Sequence, residues 1–145
     1  MHIETILARK GREVRTVAPE VSVGEVLRRM REERVGCLVV SSDGRAIQGI
    51  VSDRGVMYAI ADRGVGVLDE PVRNIMTERV FTCAPEDRIG TLMAMMTERR
   101  IRHIPVVDGD GQLCGLVSIG DVVKHRLDEI QSEAEAMREY ISGMH

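Results

Sequence analysis

Apolar positions in this chain follow two alternating periods. Val23, Val26, Leu27 and Met30 stand at i, i+3, i+4 and i+7, the spacing of one helix face, and Ile89, Leu92, Met93 and Met96 repeat it downstream. Each helix face is followed by two short β-branched runs, CLVVSS and IQGIVS at residues 37–42 and 47–52, then HIPVVD and QLCGLVS at 103–108 and 112–118. These runs read as paired strands, and the Asp43-Gly44 and Asp108-Gly109-Asp110-Gly111 stretches between them read as hairpin turns. A second helix is expected from about Arg54 to Asp62 and from about Gly120 onward. Ser22 with Glu25 three residues later has the form of a capping box, whereas Asp87 is the expected cap in the later segment.

The two stretches are copies of each other. A shift of 66 residues aligns residues 17–56 with 83–122 without a gap and gives 12 identities in 40 positions, against about two or three expected from average residue usage. Pro19/Pro85, Gly24/Gly90, Met30/Met96, Gly49/Gly115, Val51/Val117 and Ser52/Ser118 are among the identical pairs. A unit of about 60 residues cannot bury both a helix face and a sheet face alone, so the copies are expected to pack on each other. The fold class is therefore mixed α/β (α+β): two β-α-β-β-α repeats related by pseudo-twofold symmetry in one module.

Composition narrows the function classes. With 20 basic and 23 acidic residues the net charge is −3, which lacks the basic excess that drives nucleic-acid binding. Three cysteines at wide spacing, Cys37, Cys83 and Cys114, form neither a disulfide framework nor a zinc motif. No apolar run has the roughly 18 residues of a membrane span, and MHIETILARKGR lacks the apolar core of a signal peptide, so a cytoplasmic location without membrane insertion is expected. No Ser-His-Asp order, P-loop or Gly-x-Gly-x-x-Gly occurs, and an enzyme is not expected. A hydrolytic reading would have to use Cys114 or His103.

The order and duplication of the motifs resemble paired cystathionine β-synthase (CBS) domains, a Bateman module. Copy two carries Asn74-Ile75-Met76-Thr77, Thr82-Cys83-Ala84-Pro85, Arg102-His103-Ile104-Pro105-Val106-Val107 and Gly115-Leu116-Val117-Ser118-Ile119-Gly120-Asp121-Val122. Copy one keeps Thr16-Val17-Ala18-Pro19 and Gly49-Ile50-Val51-Ser52. The resemblance implies CBS repeats at residues 4–63 and 72–128, a connector at 64–71 and a helical extension at 129–145. It also implies an adenosine-containing ligand such as AMP, ATP, NAD or S-adenosylmethionine, bound between the repeats, with no catalytic cofactor. By family pattern Asp121 accepts from the ribose hydroxyls and Ser118 donates to a phosphate. Arg102 and His103, ahead of Ile104 and Pro105, meet the phosphate, and the base lies near Thr82, Cys83 and Ala84.

Copy one departs from the pattern at these places. Gly55 stands where copy two has Asp121, and Gly36 and Cys37 where it has Arg102 and His103. Asp53 is two positions from Gly55 and is expected to point elsewhere on the helix. One competent site, built mainly from copy two, is the resulting expectation. Each residue also has a plainer role: Asp121 as a helix cap, His103 as a structural histidine, Ser118 as a strand end.

The tail places Leu127, Ile130, Ala134, Met137 and Ile141 in steps of three or four, a helix whose apolar stripe needs cover from its own module or a second chain. The resemblance implies a homodimer, with Met95 in place of Arg29 a candidate contact. The function so implied is regulatory: a ligand-sensing module that signals to an effector protein. The rival is an interaction protein whose nucleotide site has decayed.

Overall fold

A computed structural model describes residues 1–143, so the extension expected over 129–145 is described only as far as residue 143. Helix α1 (Ile3–Lys10) leads into β1 (Thr16–Val17), α2 (Val23–Glu33), β2 (Cys37–Val40), β3 (Gly49–Ser52) and α3 (Asp53–Arg63). Two 3-10 turns at Val65–Asp69 and Val72–Asn74 bridge to α4 (Ile89–Arg99), β4 (His103–Val107), β5 (Leu113–Ser118) and α5 (Ile119–Ser142). In copy one β1 runs parallel to β2, and β2 pairs antiparallel with β3. In copy two β4 and β5 pair antiparallel, and the leading strand shrinks to one parallel bridge between Cys83 and Val106. It begins one residue later than in copy one because Pro105, opposite Thr82, has no N–H, where its counterpart Val39 donates to the Arg15 carbonyl at 3.3 Å, and it ends at Ala84, whose N–H donates to the Asp87 carboxylate.

That same bond corrects the expected cap of α4. Asp87 closes the turn onto Ala84, the N-cap residue is Arg88, and no side chain caps the helix. The first N–H of α4, on Ile89, instead donates to the Met1 carbonyl at 3.1 Å. At α2, Ser22 Oγ accepts from the Glu25 N–H at 3.2 Å, but the expected box is only half formed, because the Glu25 carboxylate pairs with Arg28.

The lead-in segments of the two copies are exchanged. Ile3, Ile6 and Leu7, one face of α1, belong to the buried cluster of copy two with Leu92, Met96, Ile104 and Val117. Val72, Ile75 and Met76, which precede copy two, pack against the cluster of copy one with Val26, Met30, Leu38 and Val51. Two glycines make this possible. A Cβ on Gly49 would stand 2.6 Å from Met76 Sδ, and one on Gly115 would stand 2.7 Å from Leu7 Cδ2. Thr77 then pairs with Ile50 in both directions, at 3.0 and 2.9 Å, and this fixes where the following residues 78–81 run.

Candidate functional site

A cavity of about 200 Å³ opens between the copies. One wall is the start of α3, with Ser52, Asp53 and Gly55. The opposite wall is Arg100, Arg102 and His103, from the turn into β4, and Thr77, Arg79 and Phe81 close the third side. Ser52 caps α3 by accepting from the Gly55 N–H at 3.0 Å, so the positive end of the helix dipole faces the cavity. Asp53 lies beside Gly36, where a Cβ would stand 3.3 Å from its carboxylate oxygen, and its N–H donates to the Gly36 carbonyl at 3.0 Å. Gly36 therefore leaves room for that carboxylate at the position where copy two carries Arg102. Arg100 ends α4 in the left-handed region at φ 54°, as Arg34 ends α2 at φ 56°, and turns the chain back toward the cleft.

The walls carry an excess of positive charge. Arg54, Arg79, Arg100 and Arg102 line the cavity, and none joins an ion pair among the described residues. Asp53 is the one carboxylate among the lining residues. Burial, then the neighbouring Arg102 guanidinium, hold His103 below its ordinary value of 6.5, so the imidazole is neutral at neutral pH. The unfolded chain binds that proton more tightly than the folded one, and His103 therefore costs stability as the pH falls below about 6.5. Cys37 also lines the cavity, but burial, then the Asp53 charge, push its thiol up to about 12. Burial pushes Cys83 to about 12 and raises Cys114 as well, so none of the three is a thiolate nucleophile at neutral pH. Apolar surface comes from Ile50, Val80, Phe81 and Ile101, with Arg99 stacked 4.7 Å from the centre of the Phe81 ring.

Of the ligand-binding residues expected from the family pattern, only Arg102 and His103 line this cavity. Ile104 and Pro105 are buried in β4, and Cys83 spends its backbone groups on Pro105 and Val107 beside an exposed Thr82. Ala84 donates to Asp87. Ser118 and Asp121 sit at the start of α5, where they form a reciprocal capping box. Asp121 Oδ2 also holds Lys10 Nζ at 2.6 Å. Burial works against the Asp121 carboxylate, yet Lys10 and the Ser118 N–H outweigh it and lower its pKa. A wider groove of about 530 Å³ between α1 and α5 has Lys10, Asp121 and the buried His125 in its walls. His125 Nε2 stands 2.8 Å from Glu129 Oε1 without the alignment of a hydrogen bond.

The expectation that Asp53 points elsewhere is corrected: Asp53, with Thr77, Arg79, Phe81 and Arg100, completes the lining that sequence reasoning missed. The signal was present in the duplication, because a pseudo-twofold axis sets the helix start of one copy against the strand start of the other.

The family model for the CBS domain matches twice, at residues 8–62 and 72–128. The chain belongs to the CBS-domain family. A CBS-domain containing protein from Agrobacterium tumefaciens superposes with a TM-score of 0.83 at 39% identity, covering 87% of this chain and 99% of that one. A CBS domain protein from Pyrobaculum aerophilum, solved in complex with AMP, gives 0.73 at 27% identity over 83% of this chain and 89% of its own. The mitochondrial CBS domain-containing protein CBSX3 of Arabidopsis thaliana is 36% identical over 126 residues, 84% of this chain and 61% of the relative. The chain thus spans less than two thirds of that relative's length. No helix of this CBS pair is long and apolar enough among the described residues to cross a membrane.

Proposed function

We propose that this CBS pair is a regulatory module that binds an adenine nucleotide in the cleft between its repeats and signals the occupancy to a partner protein as a cytoplasmic homodimer. The observation that carries the reading is one cavity in which Arg79, Arg100 and Arg102, in no ion pair among the described residues, face the start of α3, with Asp53 the lone lining carboxylate. Guanidinium groups and a helix N-terminus complement phosphate, a carboxylate accepts from paired ribose hydroxyls, and Phe81 with the aliphatic side chains suits the faces of a base. The AMP bound by the Pyrobaculum aerophilum neighbour supports the same ligand class. A homodimer is supported by exposed Val123, Leu127 and Ile130 on α5, and a reducing compartment by three free cysteines.

Calorimetric titration tests the reading with AMP, ATP, NAD and S-adenosylmethionine, and with adenosine as the phosphate-free control. AMP is expected to bind more tightly than adenosine, and Arg102→Ala to remove most of that preference. A preference that survives intact would place the phosphate elsewhere. The rival, an interaction protein without a nucleotide, is favoured by one observation, that Lys10 occupies the Asp121 carboxylate. It predicts no heat with any of these ligands.

A second test uses pH. His103 is held neutral in the free protein, and a phosphate beside it would favour the imidazolium, so binding takes up a proton. Affinity for AMP should therefore improve from pH 8 to pH 6 relative to a His103→Gln variant, which cancels the ligand's own titration. Parallel pH profiles would remove His103 from the phosphate site.

A further inference from the structure

Helix α5 lies on its module with one side only. Val122 and His125 are buried there, and Asp121, Asp128 and Glu129 are half-buried beside them. On the other side Val123, Leu127, Ile130, Met137 and Ile141 are 51%, 60%, 48%, 61% and 54% exposed, with exposed Ala134 between them. The expected stripe therefore exists, and its own module does not cover it. The surface of the chain, 9300 Å², is about a quarter larger than the scaling law gives for a compact protein of this mass.

The spacing of the stripe identifies what covers it. From Val123 to Ile141 the steps are 4, 3, 4, 3 and 4, a heptad seam with Leu127, Ala134 and Ile141 at a positions and Val123, Ile130 and Met137 at d positions. A helix seated on a globular core follows the 3.6-residue period, whereas a sustained 3.5-residue period is that of helices wound around each other. The flanking charges identify the partner as a second copy. Glu133 falls at g and Arg138 at the following e position, both exposed, and neither joins an ion pair among the described residues. Five residues apart on one helix they cannot meet. In a parallel pair each g side chain faces the next e side chain across the seam, so Glu133 meets the partner subunit's Arg138, and twofold symmetry makes the contact twice. Arg126, the preceding g residue, faces a neutral Gln131 position, so no like charges oppose each other there.

We infer that α5 forms a parallel two-stranded coiled coil with α5 of a second copy of this chain over residues 123–141, the two CBS modules lying on its outer sides. This rests on the homodimer proposed above and supplies its interface; it is independent of the nucleotide reading.

The mass of the full chain by sedimentation equilibrium is expected to be that of a dimer. Leu127→Glu combined with Ile130→Glu should give a folded monomer with unchanged circular dichroism, since neither side chain is buried in the module. Glu133→Arg and Arg138→Glu should each weaken the dimer, and together they should restore it. Under mild oxidation Ala134→Cys, at an a position, should cross-link to its own counterpart. Ser132→Cys, on the f side, and the unsubstituted chain should not. A monomeric full chain overturns both the dimer and the coil. A dimer insensitive to the paired glutamates, or one in which Ala134→Cys does not cross-link, overturns the coil and leaves the homodimer standing on another face.

Discussion

Replacing Leu7 with Ala should destabilise the fold by about 3 kcal/mol, within the range of roughly 2 to 5 found for fully buried leucines. Leu7 is 0% exposed and sits among Leu92, Ile104, Val106 and Val117, all of copy two. Its δ-carbons lie against Gly115, where a Cβ would stand only 2.7 Å from one of them. One side of the resulting hole is thus strand backbone in a hydrogen-bonded hairpin, which cannot move in to fill it, and the cost should fall in the middle of the range or above. Equilibrium unfolding in urea measures the difference. A loss below about 1 kcal/mol, the usual effect of a surface substitution or little more, would mean that α1 is an appendage and not part of the copy-two core.

How much of this was legible follows the reach of each physical signal. Helix faces and strand pairs are local: Val23, Val26 and Met30 were readable by spacing alone, and their copies Ile89, Leu92 and Met96 are buried too. Met93 shares that spacing yet is 40% exposed, because the stripe does not say how wide a face its neighbours cover. The exchange of lead-in segments is not local. Nothing in IETILARK shows that it packs on strands about a hundred residues away, although Gly115, matched by Gly49, marks a place where a backbone must admit another segment. The cap of α4 was missed for the same reason, since the partner that satisfies Ile89 is Met1. At the site, Arg102 and His103 were legible as a basic pair ahead of a strand. Asp53 is not, because the repeat alignment sets Gly55 against Asp121 and Asp53 against Ile119, whereas the cavity is made across the pseudo-twofold axis. Asp121 carries the family pattern, but Lys10, supplied by the exchanged α1, engages it.

Replacing Asp53 with Asn should weaken AMP binding by roughly 10- to 150-fold, equivalent to the 1.5 to 3 kcal/mol of hydrogen bonds to a charged group. Under the proposed assignment Asp53 accepts from both ribose hydroxyls, and an amide, with one acceptor oxygen and an N–H pair facing donors, cannot do so. The same change at Asp121 is the discriminating control. Asp121 is committed to the Ser118 N–H at 2.8 Å and to Lys10 at 2.6 Å, so Asp121→Asn should leave affinity intact and lower stability by about 1 kcal/mol through the weakened cap and lost ion pair. The sign with pH is fixed as well. A carboxylate whose pKa is lowered on folding contributes its stability above the unfolded value near 4 and loses it as the pH falls through the lower folded value. Unmodified protein and Asp121→Asn should accordingly converge in stability below about pH 4. Titration calorimetry at pH 7, with thermal unfolding of both variants, reads the two effects separately. Loss of affinity at Asp121 with none at Asp53 would move the ribose to the start of α5 and require Lys10 to leave it.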